Sequence, residues 1–254
     1  MRVLVTGAVE GLGRALCNRL LSDGHKVVAI DHNGPGLDSL KQEWGEQVIT
    51  LQVDLSDQTA LSTMLAGLEQ GEPLDGAILN AGISATGRFE DIPVSAQLKL
   101  LRINTEAPMI MASQLMQNNI LSKNGSLALI SSLSHATGYP GASTYCASKD
   151  AIAVYAKSIR PACTKNGINV LTVFPGPVRT SHAERHAPKG ADAEKRMAPE
   201  ELADKILSAI EQKRGTLFPG LVAKITGIAG RLVPGSMSRL MRRLIFEKLD
   251  DTVF

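Results

Sequence analysis

The chain has 254 residues, of which 44% are apolar and 20% charged, with a formal net charge of +2. That length builds one large α/β domain or two small ones, and the apolar share excludes an intrinsically disordered chain. The near-balanced charge excludes a surface built as a footprint for nucleic acid, so no nucleic-acid partner is expected.

Nearly continuous apolar runs recur along the chain at 2–6, 26–30, 48–53, 76–80, 126–131 and 168–174. Strands covered on both faces have this character. Segments with helix-start signals lie between them; in the segment after Asp54, for example, Ser56 or Asp57 can cap. Regular alternation of strand and helix predicts an α/β fold, a doubly wound parallel sheet of Rossmann-like type with helices on both faces. A late run at 215–218 brings the expected number of strands to about seven. Residues 1–220 are expected to form one domain, with 221–254 as a C-terminal helical extension. Gly176 to Met197, polar and with two prolines, reads as a long loop. Cys17, Cys146 and Cys163, odd in number and without a C-x-x-C pair, point to reduced thiols and a cytoplasmic location. The first apolar run ends at Gly7, so no secretory leader is expected, and no uninterrupted apolar stretch is long enough to span a membrane.

Two motifs carry chemistry. "TGAVEGLGRA" follows the first strand and opens a helix, placing Gly7, Gly11 and Gly13 where backbone can approach a pyrophosphate. Asp31 closes the second strand eighteen residues past Gly13, close to the spacing of a ribose-binding acid. Its carboxylate can accept from free ribose hydroxyls but would repel a 2′-phosphate, and Glu10 adds to that repulsion. NAD rather than NADP is therefore the expected cofactor. In "YCASK", Tyr145 and Lys149 stand four residues apart, on one face of a helix. A nearby ammonium is expected to lower the phenol's pKa toward neutrality and make it a proton donor and acceptor. The alternative is an ordinary surface pair.

The spacing T-G-x-x-x-G-x-G, Asp54-Leu55, "NAG" at 80–82, "ISS" at 130–132, Y-x-x-x-K and "PGPVRT" at 175–180 resembles the short-chain dehydrogenase/reductase family over about residues 1–215. The resemblance implies a catalytic tetrad of Asn104, Ser132, Tyr145 and Lys149. Ser132 lies thirteen residues before the tyrosine, and Asn104 twenty-eight before that serine. Ser131 and Ser134 compete with Ser132, but strand alternation turns Ser131 to the other face. Asn104 has the alternative of being a polar surface residue. Cofactor contacts are implied for Gly7, Gly11, Leu12, Gly13 and Asp31, for Asp54 and Leu55 near the adenine, and for Asn80, Ala81 and Gly82. Tyr145 and Lys149 would touch the nicotinamide ribose, and Pro175, Gly176, Val178 and Thr180 the nicotinamide side. The implied activity is interconversion of a small-molecule secondary alcohol and ketone. The rivals are a dinucleotide-sensing regulator and a membrane- or partner-associated protein, each without significant turnover.

Other features are read more plainly. His182 and His186 stand at i, i+4 but lack the zincin glutamate, so they are expected to be solvent-exposed and no metal is expected. His135 is placed to line the substrate pocket. Past 220, Met237, Leu240, Met241, Leu244 and Ile245 form one helical face with Arg239, Arg242 and Arg243 near the other. Such a helix packs on its own domain or a partner, or makes weak contact with a membrane surface through 221–249. The chain lacks the Val-Asp-Gly-Gly ending that builds tetramers in many relatives, so a homodimer is expected more than a tetramer.

Overall fold

The central strands alternate their side chains between two helical layers. In β1 (Arg2–Thr6), Leu4 joins the core beneath one layer, while Val3 and Val5 join the core beneath the other. In β5 (Leu121–Ile130), Leu127 and Leu129 divide in the same way from Ala128 and Ile130. Apolar side chains at every position therefore demand cover on both faces. The computed structural model describes residues 1–136, 138, 141–186, 192, 194–220, 235, 236, 239 and 252–254, the side chains of 135 and 136 excepted.

One layer holds α1 (Gly11–Ser22), α2 (Gly34–Trp44) and α8 (Pro199–Glu211). Leu16, Leu20 and Leu21 of α1 meet Leu202 and Ile206 of α8 there. The other layer holds α3 (Gln58–Glu69), α5 (Ala107–Gln117) and α6 (Ser143–Lys165), packed through Leu61, Met64, Met111, Leu115, Ile152 and Ala156. Helix α3 begins where the sequence predicts, with the Asp57 carboxylate accepting from the Thr59 and Ala60 amides at 2.8 and 3.1 Å.

The remaining strands are β2 (Lys26–Asp31), β3 (Val48–Gln52), β4 (Leu74–Leu79), β6 (Asn169–Val173) and β7 (Thr216–Leu217). All seven pair in parallel in the order β3-β2-β1-β4-β5-β6-β7. The chain winds outward from β1 to β3, then returns to place β4 on the other side of β1. Adjacent connections leave in opposite directions there, opening a crevice at the carboxyl ends of β1 and β4.

Two expectations change, and one feature is new. The fifth strand starts at Leu121, not 126, across a register shift opposite Leu74 to Gly76. The segment 176–197 is not all loop: α7 (Ser181–Arg185) lies within it, and a bridge between Val178 and Met197 closes its base. Between α4 (Val94–Leu101) and α5, residues Arg102–Glu106 form a π-helical turn that no sequence period announces. The amphipathic segment expected at 221–249 lies outside the described residues, apart from Gly235, Ser236 and Arg239.

Candidate active site

The glycine turn is held from beneath by Thr6. Its hydroxyl accepts from the amides of Asn80 and Ala81, each at 3.0 Å, which ties the end of β1 to the end of β4. The Asn80 side-chain amide returns the tie, donating to the carbonyls of Thr6 and Gly7 at 3.0 and 3.3 Å. Gly7 adopts φ +65°, a left-handed conformation that other residues enter only with strain. A Cβ on Gly13 would lie 1.7 Å from the Gly7 carbonyl oxygen, so α1 can seat on the turn only because that position is bare. Gly13→Ala is expected to abolish dinucleotide binding and to lower Tm; NADH fluorescence titration beside a thermal melt checks both.

No side chain caps the first turn of α1, since Glu10 at its N-cap makes no such bond. The amides there remain available to an anion, reinforced by the helix dipole. Leu12 turns its side chain to the core beneath α1, leaving only backbone facing the turn. Asp31 is 8% exposed at the end of β2. One carboxylate oxygen accepts from the Val9 amide at 3.2 Å and the other from the Asn33 amide at 3.1 Å. The acid therefore braces the glycine turn and keeps lone pairs for a further donor. Asp54 is exposed past β3, one oxygen taken by the amide and hydroxyl of Ser56 at 2.8 and 2.7 Å, and Leu55 packs on the α3-side core.

The π-helical turn aims Asn104 inward, and the residue is 1% exposed, not a surface polar group. Its side chain pairs with the Ile83 backbone in both directions, at 2.8 and 2.9 Å, and donates to the Ser148 hydroxyl at 3.1 Å. Both amide hydrogens are spent, so this side chain welds the segment after β4 to α6. Between them lies Gly82, where a Cβ would sit 3.2 Å from Lys149 Nζ and 3.3 Å from Asn104 Oδ1.

On α6, Tyr145 and Lys149 share a face, the ammonium 5.8 Å from the centroid of the phenol ring. Lys149 is 5% exposed, and its ammonium donates to the Ile130 carbonyl at 3.0 Å. Burial lowers its pKa to about 8, so the charged form still dominates at pH 7. Burial pushes the Tyr145 phenol up, while a hydrogen bond with Ser132 pulls it down, and the net shift is upward. This corrects the expectation of a phenol lowered by its lysine. The ammonium stands 5.8 Å from the ring centroid, and the cost of burying a phenolate sets the net direction. Ser131 faces away and donates to the Lys149 carbonyl at 2.8 Å.

After β6, Pro175 runs beside the serines and accepts from the Leu133 amide at 3.0 Å. Gly176 follows within contact of Leu133, and Val178 joins the bridge to Met197. Thr180 caps α7 by accepting from the Ala183 amide at 3.1 Å. It also reaches the glycine turn, since a Cβ on Gly11 would lie 2.8 Å from its methyl. Of the four positions, Thr180 is the one that meets the turn directly.

Helix α7 overturns the reading of its two histidines as solvent-exposed. Both are half-buried, His182 Nε2 standing 3.2 Å from the Ser84 hydroxyl and His186 Nδ1 3.1 Å from the Thr86 hydroxyl. Ser84, Thr86 and Ser148 are the residues that sequence reasoning missed here; no local pattern marks a hydroxyl that acquires its partner from a distant segment. His135's side chain lies outside the described residues.

Burial first, then the charges of His186, Arg185 and Lys149, lowers the His182 pKa to about 4; burial and Arg185 lower His186 as well. Both rings are neutral at pH 7. An unfolded histidine protonates near pH ~6.5. From there down to about 4 the unfolded chain holds the extra proton and the folded one does not. Stability is therefore fully present above that window and falls as the pH drops through it. The drop in Tm from pH 6.5 to 4 is expected to be smaller in His182→Gln than in the parent, by scanning fluorimetry.

A doubly wound parallel sheet, a bare glycine cradle at its switch point and a half-buried tyrosine paired with a buried lysine define a dinucleotide-binding oxidoreductase architecture. A sequence profile of the short chain dehydrogenase family matches residues 1–190, and the chain belongs to that family. It is 27% identical over 218 residues to a 2-(R)-hydroxypropyl-CoM dehydrogenase of Xanthobacter autotrophicus, covering 83% of each chain. A short-chain dehydrogenase from Sphingobium yanoikuyae in complex with NADPH superposes with a TM-score of 0.79 at 25% identity, over 98% of each chain. A bulky-bulky ketone specific alcohol dehydrogenase from Comamonas testosteroni shares the fold, with a TM-score of 0.78 at 23% identity over 93% of each chain.

Proposed function

We propose that this oxidoreductase uses NAD(H) to interconvert a secondary alcohol and a ketone, with Tyr145 as general acid and base. The observation that carries the reading is the Tyr145 hydroxyl bonded to Ser132, with the buried Lys149 ammonium 5.8 Å from the centroid of the same ring. The uncapped first turn of α1 and the bare Gly13 position fit a diphosphate, and Asp31 has acceptor capacity left for ribose hydroxyls. Gly7, Gly11 and Gly13 would hold the phosphates, Asp31 the adenosine ribose and Lys149 the second ribose. When bound, the nicotinamide supplies the hydride acceptor or donor.

The protein's own residues manage the proton. In reduction, neutral Tyr145 gives its proton to the carbonyl oxygen as that oxygen gains negative charge; in oxidation, the phenolate takes it from the alcohol. Ser132 donates to the same oxygen and fixes its direction. Lys149 stabilises the phenolate, and Asn104 holds the loop carrying Gly82 against the ammonium.

Helix α4 and the adjoining face of α6 expose Val94, Leu98, Leu101 and Val154, which suits pairing with a second copy as a homodimer. Among the described residues no helix is long and apolar enough to cross a membrane. The test of function is NADH-linked spectrophotometry against ketones, steroids, acyl thioesters and sugars. Consumption of NADH with at least one carbonyl class is expected. Tight cofactor binding without turnover across the whole panel would overturn the reading in favour of a sensor.

A further inference from the structure

The loop between β4 and α4 meets three segments that are distant in sequence. The Thr86 amide donates to the Val253 carbonyl and the Val253 amide to the Thr86 carbonyl, both at 2.8 Å, as an antiparallel bridge. The Thr86 hydroxyl lies 3.1 Å from His186 Nδ1 on the far side, against α7. One residue on, the Gly87 amide donates to the Gly141 carbonyl at 2.9 Å, four residues before Tyr145. Gly87 has φ +137°, and a Cβ there would fall 2.6 Å from the Thr252 hydroxyl, so residues 252–253 press directly on the loop. Thr86 itself is 3% exposed.

Helix α7 has five residues, too few to hold a helix or a position by itself. Its base is fixed by the Val178–Met197 bridge, but its far face meets the β4 loop through two imidazole–hydroxyl pairs, His182 with Ser84 and His186 with Thr86. The two rings also pack together at 4.8 Å between centroids. Ser84 stands two residues past Gly82, which abuts the Lys149 ammonium. A shift of the loop would therefore move α7 and the substrate side of the site together. The glycine turn and Asp31 have hydrogen bonds of their own through Thr6, Asn80 and Val9, and meet the α7 segment only where Thr180 packs on Gly11.

We propose that Thr86 is a positioning residue for the substrate side: backed by residues 252–254, it holds α7 and His182 against the loop whose Gly82 abuts the Lys149 ammonium. Its kinetic consequence rests on the oxidoreductase reading above; its structural consequence does not. Without the hydroxyl, His186 loses its partner and the far face of α7 is released. Without residues 252–254, the Thr86 amide loses its acceptor and the loop its backing.

Two arms test this on the full chain. In the kinetic arm, Thr86→Val raises KM for a ketone that the chain reduces about tenfold, with kcat within about twofold and NADH affinity unchanged, and Thr86→Ser restores KM. In the exchange arm, run without cofactor or substrate, deletion of 252–254 speeds amide hydrogen exchange in peptides spanning 84–88 and 181–186, while 2–14 stays as in the parent. An unchanged KM in Thr86→Val, or unchanged exchange at 84–88 after the deletion, overturns the proposal. Loss of NADH affinity alongside the rise in KM, or no rescue by serine, marks general loosening and overturns it too. If no ketone is turned over, the oxidoreductase reading fails, and the exchange arm still decides the brace.

Discussion

Tyr145→Phe is expected to reduce kcat/KM about a thousandfold while leaving NADH affinity within about twofold of the parent. General acid–base groups contribute roughly 10²–10⁴ in rate, and a thousandfold is about 4 kcal/mol of barrier. The substitution removes one oxygen and little else. The ring still packs against the small core of Ala85, Ile92 and Leu100, and Lys149 still donates to Ile130. Folding and the cofactor cradle are built from other residues, so binding and turnover separate. Steady-state kinetics beside NADH fluorescence titration makes the measurement; a variant with parental turnover would remove the tyrosine from the chemistry.

The raised pKa of this phenol gives the two directions opposite pH profiles. Reduction needs the neutral phenol, which the buried site favours at neutral pH, so its kcat/KM should hold at pH 7 and decline only on the alkaline side. Oxidation needs the phenolate, and its rate should climb with pH. Lys149 opposes this climb once it begins to lose its proton near its pKa of about 8. Ser132 is the counterweight, because its hydrogen bond is what pulls the phenol down. Both limbs of the profile thus trace to burial acting on two adjacent groups in opposite senses.

The sheet was legible because its strands are buried on both faces and read as unbroken apolar runs. The exception proves the reason: Leu121–Gly125, the polar start of β5, pairs only at Leu121 before the register shifts. Helix α3 was legible to its cap, since Asp57 acts on amides two and three residues away. The glycine cradle was legible in its spacing, but the role of Thr6 beneath it was not, because its partners come from residue 80 onward. The same limit hid the partners of His182 and His186. Their neighbours in sequence are polar, which reads as exposure, whereas their burial comes from Ser84 and Thr86 a hundred residues earlier. Spacing placed Lys149 on the tyrosine's face of the helix. It could not say that a strand carbonyl would hold the ammonium, or that burial would set the net direction of the phenol's shift.

Asp31→Asn is expected to shift the ratio of kcat/KM for NADH over NADPH by about a hundredfold toward NADPH, from a parent that prefers NADH. The same fold is described with NADPH in the Sphingobium relative and with NADH in a 4-hydroxyisoleucine dehydrogenase, so the choice resides in local groups. In this chain the group at the end of β2 is a carboxylate, 8% exposed and held in place by the Val9 and Asn33 amides. A 2′-phosphate brought to about 5 Å from that charge, at an effective dielectric of about 20, would lose about 3 kcal/mol per charge pair. At about 1.4 kcal/mol per tenfold, that is at least a hundredfold in transition-state binding. Arg14, in the first turn of α1, is paired with Glu43, and Glu10 supplies a further negative charge at the start of that helix. His32 lies 3.1 Å from the acid with its side chain open to solvent, where water screens its interaction with a bound phosphate. Asparagine keeps the size and one acceptor for the turn while deleting the charge, so the change in ratio reports electrostatics rather than a collapsed cradle. A parent enzyme that already prefers NADPH, or an Asp31→Asn variant with an unmoved ratio, would show that the carboxylate never meets the ribose.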